Sequence, residues 1–150
     1  MPGTSASHAI FFIASLIVAT AVAGVFMGTT MRFSNDLKTK GNAYSNQMNT
    51  EVTIINDPSA MPYNSTNQTL ILYVKNIGST SLYPNVTRVL IDGNYSMSNN
   101  LTFKLLDGAS AWSNEVTLEI TVGNCTLTSG DHKAKVIVEH GRYATLAFKI

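Results

Sequence analysis

The residues from which a catalytic or metal site could be built are three histidines, His8, His132 and His140, one cysteine, Cys125, and nine carboxylates. Their spacing assembles no site. No two histidines stand at metal-ligand spacing, and no second cysteine joins them. Asp92, Asp107 and Asp131 each adjoin a glycine, where an aspartate serves the turn backbone itself. No loop is dense enough in Asp and Asn to hold calcium. Gly-x-Ser-x-Gly, Ser-x-x-Lys, His-Glu-x-x-His and phosphate-cradling glycine loops are absent. The histidines read as solvated turn or interfacial residues. Cys125 cannot close an internal disulfide and reads as a small, partly buried residue near a turn, with an intermolecular bridge as the other reading. No catalytic, metal or cofactor residue is expected.

One covalent chemistry does have acceptor residues. Six Asn-x-Ser/Thr sites, at Asn64, Asn67, Asn85, Asn94, Asn100 and Asn124, are acceptors for N-glycosylation. Sugar could also be bound rather than attached. Trp112, Tyr83 and Tyr95 would be the stacking residues of an adhesion module, against the plainer reading of Trp112 as a cap on one end of a core. Net charge is +1 with 13% charged residues, and the sequence shows no basic stripe, so nucleic acid is not an expected partner.

These residues need elements to position them, and the chain supplies two kinds. Ala9 to Met27 carries no charge. With Gly28 it reaches about 30 Å as a helix, the thickness of a bilayer core, and it exceeds a secretory h-region. Gly24 and Gly28 have the spacing that lets two membrane helices approach closely, or they are simply small lipid-facing residues. Thr29–Tyr44 reads as a helical continuation, with Gly41-Asn42 as the point where it frays or ends. Residues 1–48 are thus expected to form a transmembrane helix with its extension, and residues 49–150 a separate β domain.

Beyond Glu51, short apolar runs alternate with turn residues. Seven strands are expected: Glu51–Asn56, Thr69–Asn76, Thr87–Ile91, Leu101–Leu106, Glu115–Val122, Lys133–Glu139 and Arg142–Lys149. Asp92-Gly93, Asp107-Gly108 and His140-Gly141 mark tight turns. Spacing of roughly ten residues suggests an immunoglobulin-like sandwich. Its expected core includes Leu70, Leu72 and Val74, then Val116, Leu118, Ile120 and Val122, and Ala134, Val136 and Val138. The hairpin Lys133–Ile150 is a candidate assembly edge, with Val138 and Leu146 as its contacts.

Orientation has two signals. Arg32, Lys38 and Lys40 follow the apolar run, which would place the C-terminal part inside by the positive-inside rule. The sequons all lie in the β part, which places it outside, and this second reading is adopted.

Several blocks carry a resemblance. SASHAIFFIASLIVATAVAGVF, EVTIINDPSAMPYNSTNQTLILYVKNIGSTSL, VLIDG, the Leu-Asp-Gly segment before Trp112, and TSGDHKAKVIV resemble the FlaG family of archaellum proteins, in the expected order over nearly the whole chain. The resemblance implies a type IV pilin-like architecture and a non-enzymatic place in the static part of the archaellum motor. It implies self-association into a filament-like element, a FlaF-like partner, and through it the S-layer. It also implies a single pass through the archaeal cytoplasmic membrane with the β domain beneath the S-layer. Archaellins and pilins carry a basic residue and Gly before the apolar run. Met1-Pro2-Gly3 has none and position 8 is His, so cleavage is not expected, although a filament subunit remains the alternative. The opening Ser7-His8-Ala9-Ile10-Phe11-Phe12 is unlike FlaF.

Overall fold

The computed structural model describes residues 3–106 and 108–150, in which one long helix, α1 (Gly3–Asn49), precedes nine strands. The apolar part of α1 is exposed throughout, and it is long and apolar enough to cross a membrane. Its hydroxyls do not spoil that character. Ser15, Thr20, Thr29 and Thr30 donate to the carbonyls of Phe12, Ile17, Val25 and Phe26 at 2.8–2.9 Å. Donors satisfied within their own helix cost little in hydrocarbon.

Gly41-Asn42 does not end the helix, contrary to expectation. A single helical glycine costs only about 1 kcal/mol, too little to break a long helix of good formers. The stop comes at Thr50, whose hydroxyl donates to Asn46 O at 2.7 Å, just before the β-branched Val52-Thr53-Ile54. The chain divides into two compact units, the first ending at Asn42 and the second running Ala43–Ile150.

In the second unit the strands are β1 (Val52–Ile54), β2 (Tyr63–Asn64), β3 (Thr69–Asn76), β4 (Arg88–Ile91), β5 (Asn94–Tyr95), β6 (Leu101–Leu105), β7 (Thr117–Val122), β8 (Asp131–Ile137) and β9 (Tyr143–Lys149). They form two antiparallel sheets. One has the order β1-β3-β7-β6, with β2 also on β3, and the other β5-β4-β8-β9. The seven expected strands are present: Thr69–Asn76 is unchanged, β8 is shifted two residues towards the N-terminus to Asp131–Ile137, and the others have trimmed ends. β2 and β5 are additional, each two residues long and too short to leave an alternation pattern.

Alternation on β3 buries Leu70, Leu72 and Val74, which register with Val122, Ile120 and Leu118 on β7. Across the core lie Val89, Ile91, Ala134, Val136 and Phe148 from the other sheet. Each large aliphatic so buried contributes about 1.5–3 kcal/mol. Val116 is only partly buried against this cluster. The β4–β5 link is a two-residue turn with positive φ at Asp92 (52°) and Gly93 (82°), the geometry for which Asp-Gly is suited. His140 and Gly141 likewise have φ of 58° and 72° between β8 and β9. Gly108 has φ 67°, whereas Asp107, the other half of the expected turn, lies outside the described residues.

Candidate interaction surfaces

The end of α1 enters the sandwich through a polar knot inside the second unit. Asn49 O accepts the N–H groups of Ser79 and Thr80, at 2.9 and 3.2 Å. A Cβ on Gly78 would stand 2.4 Å from that oxygen, so only glycine fits there. Asn76, fully buried, organises the knot. Its Oδ1 accepts from Gly78 N–H at 3.0 Å, and its Nδ2 donates to Thr80 O at 2.8 Å and Trp112 O at 3.0 Å. Arg142 Nε donates to Thr50 O at 3.1 Å, bringing β9 to the same point.

Trp112 is 0% exposed and donates its indole N–H to Val116 O at 3.1 Å. It is core, so the sugar-stacking reading of Trp112 is corrected. Tyr83 and Tyr95 are exposed, with no tryptophan beside them to complete a platform.

The candidate assembly edge needs a correction too. Val138 is 5% exposed and belongs to the core, so its side chain meets no partner. Leu146 is half-buried on β9, on the same side as Ala144 and Phe148. β9 is an edge strand by pairing, tied to the rest of the sandwich near its two ends. β1 is its neighbour, Lys149 N–H donates to Pro58 O at 3.2 Å, and Arg142 reaches Thr50. β6 is also an open edge. Gly123 N–H donates to Asn100 O and Leu106 N–H to Thr117 O, which puts the even residues in paired positions. The backbone groups of Phe103 and Leu105 then point away from the sheet.

His132 is no solvated turn residue. It lies on β8 with its side chain 9% exposed. Nδ1 stands 2.6 Å from Asp92 Oδ2 and Nε2 2.7 Å from Thr128 O. A carboxylate and a carbonyl only accept, so both ring nitrogens are placed to donate, an arrangement that favours the imidazolium form. The Thr128 carbonyl and the Asp92 carboxylate raise the His132 pKa, and the same contact, with the Lys133 N–H on Asp92, lowers that of the aspartate. The pair ties the β4–β5 turn to β8. Burial raises the pKa of the free Cys125 thiol and keeps it protonated and unreactive. Among the described residues no group of three or more His, Cys, Asp or Glu is placed to hold a metal ion.

Of the sequon asparagines, Asn64, Asn67, Asn85, Asn94 and Asn124 are exposed and Asn100 is half-buried. Asn94, Asn100 and Asn124 line one cleft, where Asn124 Nδ2 donates to Asn100 Oδ1 at 3.2 Å. In the Asn85 sequon, the Thr87 hydroxyl is buried without a partner. On α1, Gly24 and Gly28 have open space where a Cβ would be.

A family model described as archaeal-type flagellin matches residues 3–148. The flagella-related protein G of Methanococcus voltae is 38% identical over 90 residues, which is 59% of this chain and 59% of that protein. That of Methanocaldococcus jannaschii is 32% identical over 96 residues, 63% of this chain and 62% of its own. The chain thus spans about six-tenths of the length of the curated relatives it matches. Among solved structures, the archaellum periplasmic stator protein FlaG of Sulfolobus acidocaldarius aligns over 66% of this chain and 99% of its own, with a TM-score of 0.49 at 16% identity.

Proposed function

Because the chain belongs to the archaeal-type flagellin family, we propose that it is a non-enzymatic structural part of the archaellum, of the flagella-related protein G kind. The observation that carries this reading is the family match across both units, apolar helix and sandwich together. In this reading the segment Ala9–Gly28 crosses the cytoplasmic membrane once and the sandwich stands outside, beneath the S-layer. The six sequons, all in the sandwich, support that side. The sandwich associates with copies of itself and with a FlaF-like protein, as the resemblance to FlaG implies, and holds the static part of the motor. The open β6 edge is suited to strand addition, as is the β9 edge of the β8–β9 hairpin. Gly24 and Gly28 leave room for a second helix at the membrane.

Deleting the gene in its archaeal host tests the role. Cells that keep filaments but cannot swim support a static motor part. Loss of the filaments themselves would favour the second reading, a filament subunit, which the family description itself favours. Unimpaired swimming sinks both. Light scattering on the Ala43–Ile150 unit mixed with the FlaF-like domain of the same cell tests the partnership. A defined joint mass is expected, and two unchanged masses at high concentration would remove it.

A further inference from the structure

The outer face of the β5-β4-β8-β9 sheet gathers charge that the linear sequence disperses. Ala134, Val136 and Phe148 point into the core, so their strand neighbours Lys133, Lys135 and Lys149 point out. Arg88 joins them from β4, where it registers with Ile137 and its neighbour Val89 is buried. Four of the seven Lys and Arg residues between 50 and 150 therefore share one face, against one of the seven carboxylates among the described residues of that span, Asp131, which stands opposite Lys149. None of the four cations is in an ion pair among the described residues. Two exposed tyrosines lie among them. Tyr95 registers with Leu90, and the Tyr143 ring sits under Lys135 Nζ at 4.0 Å from its centroid.

We propose that this face docks an acidic surface of another protein. Unpaired cations interleaved with exposed tyrosines complement an acidic partner, the aromatics giving contact area and the charges giving register and speed. A membrane surface fits less well. Interfacial binding needs apolar side chains to insert, and here Leu90 and Ile137 are half-buried within a pleated face and Tyr143 lies beneath a lysine. A second copy is a poorer complement, because three of its carboxylates are already answered within the chain. Glu115 pairs with Lys75, Glu119 stands opposite Lys104, and Asp92 holds His132. The proposal does not depend on the motor assignment, since it follows from the sheet register alone.

The test uses the full chain in nanodiscs of phosphatidylcholine, with fluorescently labelled poly-L-glutamate as probe and anisotropy as readout. Salt-dependent binding is expected. Lys133→Gln with Lys135→Gln weakens it by about tenfold, while Lys75→Gln with Lys104→Gln, on the other sheet, changes it less than about twofold. Tyr143→Ala weakens binding by about threefold with the salt dependence unchanged. Circular dichroism melts confirm that each variant is folded, and a variant that fails is replaced by Lys133→Gln alone. Equal losses from the two lysine pairs overturn the proposal, as does absence of binding at low salt. Tighter binding to phosphatidylglycerol vesicles or to a single-stranded oligonucleotide at matched charge overturns it as well, in favour of a lipid or nucleic-acid face.

Discussion

The two sheets follow the same alternation and present opposite exteriors. On β3, β7 and β6 the outward residues are largely Thr, Tyr and charges that answer one another, with Lys75 paired to Glu115 and Lys104 opposite Glu119. On β4, β8 and β9 the outward charges are cations apart from Asp131, and none of those cations is in an ion pair among the described residues. The first sheet also holds the polar knot, with Asn76 and Trp112 buried at its end and Asn56 replacing a strand. The Asn56 amide bonds Ile71 O at 3.0 Å and Tyr73 N at 2.7 Å where the main chain turns away. One sheet closes upon itself and carries the internal ties, and the other leaves its exterior unsatisfied. Inner faces of a sandwich must be alike to pack, so difference of role is written on the outer ones.

Substitutions can break this contrast. Trp112→Ala removes the largest fully buried side chain, and a loss of about 4 kcal/mol is expected in denaturant unfolding of the Ala43–Ile150 unit. Asn76→Ala leaves Thr80 O unmatched and takes one of two partners from Gly78 N–H, which also donates to Glu51 O, and from Trp112 O, which also accepts from Leu82 N–H, and it is expected to cost about 2 kcal/mol. Were it to cost under about 0.5 kcal/mol, the first sheet would not hold the polar knot as described. The second sheet has one internal tie, His132 to Asp92, and it should give that sheet a pH signature. The raised His132 pKa makes its contribution complete below the ordinary imidazole value of 6.5 and lost as pH rises through the raised one. The lowered Asp92 pKa makes its contribution present above 3.8 and lost as pH falls through the lowered one. Melting temperature should therefore be highest between these limits and decline on the alkaline side, and His132→Gln should flatten that decline. An unaltered profile in the variant would mean the pair does not tie the turn to β8.

Smaller effects sharpen the picture. Thr87→Val replaces a hydroxyl that has no partner with a methyl group, so stability should rise by up to about 1 kcal/mol. A clear loss would show that a bound water serves that hydroxyl. Lys135→Gln should alter stability by less than about 0.5 kcal/mol, because an outward cation with no carboxylate partner does not hold the sheet together. A larger loss would make its stacking on Tyr143 a structural contact instead of a docking one.

Much of the fold was legible because period-two burial leaves a mark on the residues themselves. Leu70, Leu72 and Val74, or Leu118, Ile120 and Val122, announce a buried face without any knowledge of partners. Long helices are equally plain, apart from the overrated Gly41-Asn42 pair. What stayed hidden depends on pairing. No linear pattern gives the order β5-β4-β8-β9, and without it Arg88, forty-five residues from Lys133, cannot be seen as its neighbour on a basic face. The sequence carries no linear basic stripe, since the charge is assembled across strands. Val138 misled for a related reason: its alternation marked it correctly as core, yet it was also assigned to an edge. The clasp of His132 could have been suspected only from Asp92 beside Gly93, a turn whose free carboxylate must face something.

The hydroxyls along α1 have a consequence for how such helices recognise each other. With the hydrogens of Ser15, Thr20, Thr29 and Thr30 directed to carbonyls of the same helix, they have lone pairs but no proton to offer a neighbour. Any pairing between two copies in the lipid then rests on contour, on what fits over Gly24 and Gly28. Contour alone tolerates sliding and rotation, whereas a hydrogen-bonded seam would lock one register.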